Sequence, residues 1–126
     1  MSSENAQITW DAMSAIPPFS PADGVKMHLM AGEQLMVNLV VMQPGATVPI
    51  HSHTNEQAGY IVKGALIMTI DGETRTLGPG ECYLAPGNVS HGATSGSDGC
   101  EIVDIFAPPR PDYVAAAQQA REESTR

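Results

Sequence analysis

The sequence predicts an all-β protein: a single barrel or sandwich of short strands followed by one short helix. Short apolar or alternating segments follow one another through residues 25–107, separated by Gly, Pro and Asp-Gly turns. Twelve Gly and ten Pro in 126 residues supply those turns. Only residues 112–123 have the Ala- and Gln-rich composition that favours a helix. We therefore expect one domain over residues 1–126, with its barrel core at about 25–107.

The first half of the chain contains an arm and two strands. Residues 1–24 form an N-terminal arm with weak structural signals, in which the apolar residues around Trp10 could dock on the barrel or on a second subunit. The segment 25–30 alternates apolar and polar residues, as a half-buried strand does. Residues 35–42 are almost all apolar, which predicts a strand covered on both faces.

The second half of the sequence predicts a hairpin, three further strands and the helix. Asp71-Gly72 separates two strand-like segments and is a strong hairpin signal. Strands are predicted at 57–63, 65–70, 81–85 and 100–107, with a break at Gly64 and a loop at 95–99. Asp112 is the expected N-cap of the helix at about 112–123.

A metal site is predicted by the histidines. His51 and His53 are two residues apart in a strand-like segment, so their side chains point to the same face. Gln57 has the same parity, whereas its neighbour Glu56 would face away. His91 follows a Pro-Gly-Asn turn and supplies a third imidazole. We expect His51, His53, Gln57 and His91 to bind one divalent ion (Zn, Ni, Mn or Fe), the alternative being structural or solvated histidines.

The neutral amide of Gln57 affects which reaction a bound metal ion would favour. A carboxylate ligand cancels one unit of the charge on a metal ion, whereas an amide cancels none. An ion bound beside Gln57 therefore polarises a coordinated oxygen more strongly. This favours acid–base chemistry over oxygen activation.

A second group of candidate residues lies at the end of the last strand. Asp104 shares a face with Ile102 and Phe106, so its carboxyl has apolar neighbours and a raised pKa is expected. Arg110 lies between prolines and suits bidentate binding of a carboxylate. The alternatives are an Asp104–Arg110 salt bridge or an Asp bonded to turn backbone. Tyr83 is expected to pack rather than to act.

These motifs resemble the two signature motifs of the cupin superfamily. The matching residues are Gly45, His51, His53 and Gly64 in the first motif and Gly80, Pro86 and His91 in the second. The chain departs from the family pattern at Gln57, where Glu is usual, at Asn88, where Gly is usual, and at Ser95, where Asn is usual. The resemblance implies a double-stranded β-helix, or jelly-roll barrel, with the metal set named above.

Within that superfamily the chain resembles small cupins of pectin and alginate catabolism. Those proteins use a Gln in the metal set and carry an Asp, a Phe two residues on and an Arg four further, which Asp104, Phe106 and Arg110 match. They open the ring of 4,5-unsaturated uronates to give linear keto acids. The resemblance thus implies a small anionic substrate and catalytic roles for these residues. A cupin dioxygenase and a non-catalytic ligand-binding barrel remain open alternatives.

Charge and composition limit the partners. A net charge of −8 argues against nucleic acid and anionic membranes. No apolar run approaches the roughly 20 residues that span a bilayer, and the N-terminus has no secretion-signal pattern. Two Cys are too few for a disulfide scaffold, which favours the cytoplasm. We expect a homodimer, because exposed sheet edges favour pairing.

Overall fold

The computed structural model describes residues 8–125; the predicted arm's first residues, 1–7, lie outside this range. A 3-10 turn over Met13–Ala15 precedes eight strands and one helix. Their bounds are β1 (Phe19–Ala22), β2 (Val25–Ala31), β3 (Met36–Met42), β4 (Thr47–His51), β5 (Glu56–Ile70), β6 (Glu73–Leu77), β7 (Cys82–Ala85), β8 (His91–Ala107) and α1 (Pro111–Ser124). Within residues 8–125, no helix is both long enough and apolar enough to cross a membrane.

All strand pairs are antiparallel, and β5 and β8 run through both layers of the barrel. The first half of β5 and the second half of β8 lie in a sheet with the order β1-β2-β3-β8-β5-β7. Their other halves lie in a smaller sheet with the order β4-β8-β5-β6. The predicted all-β jelly-roll barrel with one short C-terminal helix is confirmed.

Both long strands continue where the sequence predicted a break or a loop. Gly64 lies inside β5, and the 95–99 segment lies inside β8, so both predicted interruptions are wrong. A Cβ at Gly64 would lie 2.1 Å from the carbonyl oxygen of Gly99, and both residues have positive φ (78° and 77°). Glycine at both positions therefore lets the strands bend together and pass from one sheet to the other.

The core lies between the two sheets, and the strand at 36–42 shows how it is built. Alternate residues of β3 are buried (Met36, Asn38, Val40 and Met42), and those between them are half-buried. The strand predicted to be covered on both faces thus has one core face and one partly exposed face. Helix α1 closes one end of the barrel by packing Ala117 against residues of β2, β3 and β8.

The N-terminal arm docks on the barrel through Ile16 rather than through Trp10. Ile16 is buried, and its carbonyl accepts a hydrogen bond of 2.6 Å from Nδ1 of His28 in β2. Trp10 is 88% exposed. At the other end of the chain, α1 begins at Pro111, so Arg110 occupies the N-cap and the predicted capping role of Asp112 is wrong.

Candidate metal centre and pocket

Three histidines converge at one end of the barrel interior. His51 ends β4 and His91 begins β8, and the two are paired in register. His53 follows in the loop after β4. One ring nitrogen from each of the three lies within 4.8 Å of the others. These imidazoles therefore form a group that can hold a metal ion. The predicted parity of His51, His53 and Gln57 within one strand is wrong, because β4 ends at His51 and Gln57 lies in β5.

The backbone fixes the tautomer of each ring. Nδ1 of His51 and of His91 lies 2.8 and 2.9 Å from the carbonyl two residues earlier, and Nδ1 of His53 lies 3.0 Å from the carbonyl two residues later. A carbonyl only accepts hydrogen bonds, so Nδ1 carries the proton in each neutral ring. Each Nε2 then presents a lone pair, which is the form that binds a metal.

Gln57 adds an oxygen to this group. Its Oε1 lies 3.0 Å from Nε2 of His53 and 3.2 Å from Nε2 of His91. Burial lowers the pKa of both histidines, which favours the neutral rings. In these contacts the lone pairs of the two Nε2 atoms therefore face the lone pairs of Gln57 Oε1. A cation between them removes the repulsion, and three nitrogens with one oxygen suit a divalent first-row ion.

A chain of hydrogen bonds leads from Gln57 to Asp104. Nε2 of Gln57 donates to the Tyr83 hydroxyl at 2.7 Å, and that hydroxyl donates to Oδ1 of Asp104 at 2.7 Å. Burial raises the pKa of Tyr83 well above its usual 10, so the hydroxyl keeps its proton. Sequence reasoning assigned Tyr83 a packing role and missed this bridge. The signal that could have found it is Gly59, whose lack of a side chain leaves room for a ring.

Asp104 is the buried carboxyl of the pocket. It is 6% exposed, and burial raises the pKa of its carboxyl to about 7, although the Tyr83 hydrogen bond acts in the opposite direction. Both protonation states are therefore populated near neutral pH, which suits proton transfer. The Asp104–Arg110 salt bridge that the sequence left open is not formed, because Arg110 pairs with Asp112.

Asn38 is a second residue that sequence reasoning missed. It is fully buried and is the cross-strand partner of Asp104 in β3. Nδ2 of Asn38 lies 3.9 Å from the Met27 sulfur, and its Oδ1 has no hydrogen-bond partner within residues 8–125. A lone amide in an otherwise apolar strand was the available signal. The unpartnered acceptor lies on the residue paired with Asp104 across the sheet.

Arg110 is held at the pocket by two neighbours. Its Nη2 donates to Oδ2 of Asp112 at 2.9 Å, and its guanidinium carbon lies 3.8 Å from the centre of the Tyr113 ring. The Arg110 side chain is largely buried, whereas that of Asp112 is largely exposed. The guanidinium therefore faces the pocket with a partner that solvent can reach.

The predicted site residues lie together around one pocket. Its walls include His51, Gln57, His91, Asp104, Phe106 and Arg110. The His53 ring centre lies 5.6 Å from that of Phe106, which places His53 at the same end of the barrel. Phe106 is buried and packs in the core with Leu29, Met36 and Ala117.

Comparison with known proteins identifies the family. A family model described as "Cupin domain" matches residues 38–106, more than half of the 126 residues. This chain belongs to the cupin family. The pectin degradation protein KdgF of Dickeya dadantii (strain 3937) is 33% identical to this cupin over 94 residues, covering 73% of this chain and 86% of that protein.

Solved structures agree with the assignment. KdgF from Halomonas sp. superposes with a TM-score of 0.79 at 28% identity, covering 84% of this chain and 98% of that one. An RmlC-like cupin from Shewanella frigidimarina also gives a TM-score of 0.79, at 25% identity, covering 86% of this chain and 97% of that one. This cupin thus resembles both over most of its length.

Two departures from the usual cupin motifs have structural explanations. Asn88 has a φ of 67°, the left-handed conformation for which Gly is usual, and asparagine tolerates it. Ser95 accepts a hydrogen bond of 3.2 Å from the Ala46 amide and donates to the Gln43 carbonyl. The serine thereby ties β8 to the turn between β3 and β4.

Proposed function

We propose that this cupin is a metal-dependent enzyme that opens the ring of 4,5-unsaturated uronate monosaccharides. One observation carries the proposal: a buried carboxyl with a pKa near 7, Asp104, lines the same pocket as His51, His91 and Arg110. The similarity to pectin degradation proteins supports the substrate class. The neutral ligand Gln57 favours acid–base chemistry, as the reaction requires.

The reaction is an isomerisation that needs proton transfer alone. The bond between C1 and the ring oxygen breaks, and the C1 hydroxyl loses its proton as C1 becomes an aldehyde. The electron pair left on the former ring oxygen gives an enolate, which takes a proton at C4 and becomes a ketone. Every atom of the sugar is kept, and no redox partner is needed.

The proposed ion has one role and the protein residues have others. An ion bound by His51, His53, Gln57 and His91 would supply Lewis-acid stabilisation of negative charge on substrate oxygens. Asp104 would hold and move the proton, because its pKa lies near the working pH. Phe106 forms an apolar wall that limits access of water to the carboxyl.

Arg110 would bind the substrate carboxylate. Its planar guanidinium matches a carboxylate in bidentate geometry, and Asp112 already occupies it in that manner, with contacts of 2.9 and 3.3 Å. Asp112 is exposed, so its carboxylate can return to water when a substrate replaces it. Stacking on Tyr113 keeps the guanidinium in place during the exchange.

Steady-state kinetics on variants with matched metal content tests these roles. Asp104→Asn should lower kcat for an unsaturated uronate by about 100-fold or more, whereas Arg110→Ala should mainly raise KM. Asp98→Asn, which alters an exposed carboxyl, is the control. Near-normal kcat in Asp104→Asn would show that the proton-transfer role is wrong.

The same assay separates the alternative functions. Turnover that persists without O₂ supports acid–base chemistry, whereas strict O₂ dependence would indicate a dioxygenase. Tight binding of uronates without turnover would indicate a non-catalytic binding barrel.

We further propose that the protein is a homodimer that pairs through one sheet face. The central outward-facing residues of β7, β5, β8 and β3, here called the outer apolar face, are uncharged: Leu84, Ala58, Tyr60, Ile105, Val103, Val37 and Leu39. Glu56 and Glu101, which have the same parity in β5 and β8, lie at its two ends. An uncharged apolar face is self-complementary, as a two-fold interface requires. The exposed Trp10 arm is a candidate to cross to the partner.

The cytoplasmic setting also remains a proposal. Cys82 and Cys100 are both free thiols, which fits a reducing compartment. Cell fractionation with an antibody to the protein would test it directly.

A further inference from the structure

Tyr83 reaches Asp104 by crossing the strand between them. Strand β5 lies between β7 and β8, and its residue Gly59 is paired in register with both Tyr83 and Asp104. A Cβ at Gly59 would lie 2.1 Å from Cε2 of Tyr83 and 2.5 Å from Oδ1 of Asp104. The tyrosine ring therefore lies across the bare backbone of Gly59, and this placement depends on glycine there.

The two hydrogen bonds that connect Gln57, Tyr83 and Asp104 have a single donor-to-acceptor direction. An ionised Asp104 only accepts, so it takes the single proton of the Tyr83 hydroxyl. The Tyr83 oxygen is then free to accept, and the NH₂ end of Gln57 donates to it. The other end of the amide, Oε1, is left facing the histidines. The orientation of the Gln57 amide thus follows from the Tyr83 hydroxyl.

We propose that Tyr83 is a positioning residue that holds the Gln57 carbonyl oxygen towards the three histidines and at the same time donates to the Asp104 carboxyl. It thereby links the metal group to the proton-transfer group. The link to catalysis rests on the function proposed above, whereas the orientation of Gln57 does not.

This role gives a reason for glutamine at a position where the family usually has glutamate. A carboxylate at residue 57 would be acceptor-only, so residue 57 and Asp104 would compete for the one proton of Tyr83. An amide removes the competition, because it offers an oxygen to a cation and an N–H to Tyr83. Gln57, Tyr83 and Asp104 are therefore a matched set of residue types.

The first test measures zinc affinity in the absence of substrate. Tyr83→Phe keeps the ring but removes the hydroxyl, and Tyr60→Phe, on the exposed outer apolar face, is the matched control. Competition with a chromogenic chelator should show a fall in Zn²⁺ affinity of roughly 10-fold or more in Tyr83→Phe. The control should bind zinc as the wild type does. An unchanged affinity in folded Tyr83→Phe would overturn the proposal.

The second test follows the Asp104 carboxyl by ¹³C NMR in the zinc-loaded protein, with its resonance assigned by its loss in Asp104→Asn. Removing the Tyr83 hydrogen bond should raise the pKa of Asp104, because that bond favours the charged form. An unchanged pKa would overturn the link between Tyr83 and Asp104. Lack of uronate turnover by the wild type would refute the proposed function and leave both readouts intact.

The wild-type protein also offers a test that needs no variant, should Tyr83→Phe fail to fold. The buried Tyr83 hydroxyl proton should exchange slowly and show a nuclear Overhauser effect to the side-chain NH₂ of Gln57. An assigned hydroxyl proton with no such effect would overturn the orientation.

Discussion

Replacing Asp104 with Asn should stabilise the metal-free protein by an amount that grows with pH. Burial raises the pKa of Asp104 from 3.8 to about 7, so between these pH values the folded protein keeps a proton that the unfolded chain has released. Stability is therefore lost as pH rises through this window, by about 1.4 kcal/mol per pH unit and about 4 kcal/mol in all. Below pH 3.8 both states are protonated and the cost vanishes. Asn avoids the charge and still accepts the Tyr83 hydrogen bond.

Urea unfolding followed by circular dichroism measures this effect. The variant's advantage in free energy of unfolding over the wild type should increase by about 3 kcal/mol between pH 5 and pH 8. Other titrating groups are common to both proteins and cancel in the difference. Asp98→Asn, at an exposed carboxyl, should show no such trend. A difference that stays constant to within about 1 kcal/mol would refute the reasoning that burial dominates at Asp104.

Three further predictions concern the metal, the arginine and the interface. His51→Ala or His91→Ala should remove most of the bound metal in elemental analysis of dialysed protein; full occupancy in both would contradict the site. Asp112→Asn should lower KM for an anionic substrate roughly 2- to 5-fold with kcat unchanged, because Arg110 loses a competing partner, and an unchanged or higher KM would contradict this competition. Ile105→Glu places a charge in the outer apolar face and should give a monomer in sedimentation at micromolar concentration, where a persistent dimer would rule out that face.

Local signals predicted much of the fold. Asp71-Gly72 forms the predicted tight turn, with positive φ at both residues and Ile70 paired with Glu73. The same kind of local signal wrongly predicted a break at Gly64 and a loop at residues 95–99. A glycine-containing stretch suggests an interruption when it is considered alone, but here each strand bends where its neighbour also has a glycine. That information lies in the pairing of β5 with β8, not in either segment.

The candidate site was also only partly predictable from local sequence patterns. Strand parity was enough to put Asp104 on the core face. The two-residue spacing of His51 and His53 keeps their rings close, although His53 lies beyond the end of β4. Tyr83 and Asn38 were missed because their positions depend on cross-strand register. Each is brought to Asp104 by a strand far away in sequence. Register depends on the whole sheet, which a pattern within one strand does not contain.

The two long strands form one ribbon whose ends meet. Gln57 pairs with Phe106 at one end, and His91 pairs with Ile70 at the other. The stretch of β8 from His91 to Phe106 would span about 50 Å if it were straight. Yet Oε1 of Gln57 lies 3.2 Å from Nε2 of His91. The ribbon has curled into a ring, and an ion bound by both residues would hold its two ends together. Removing that ion should loosen the ring at the junction first, so amide hydrogen exchange should quicken at these two ends before it does in the bends.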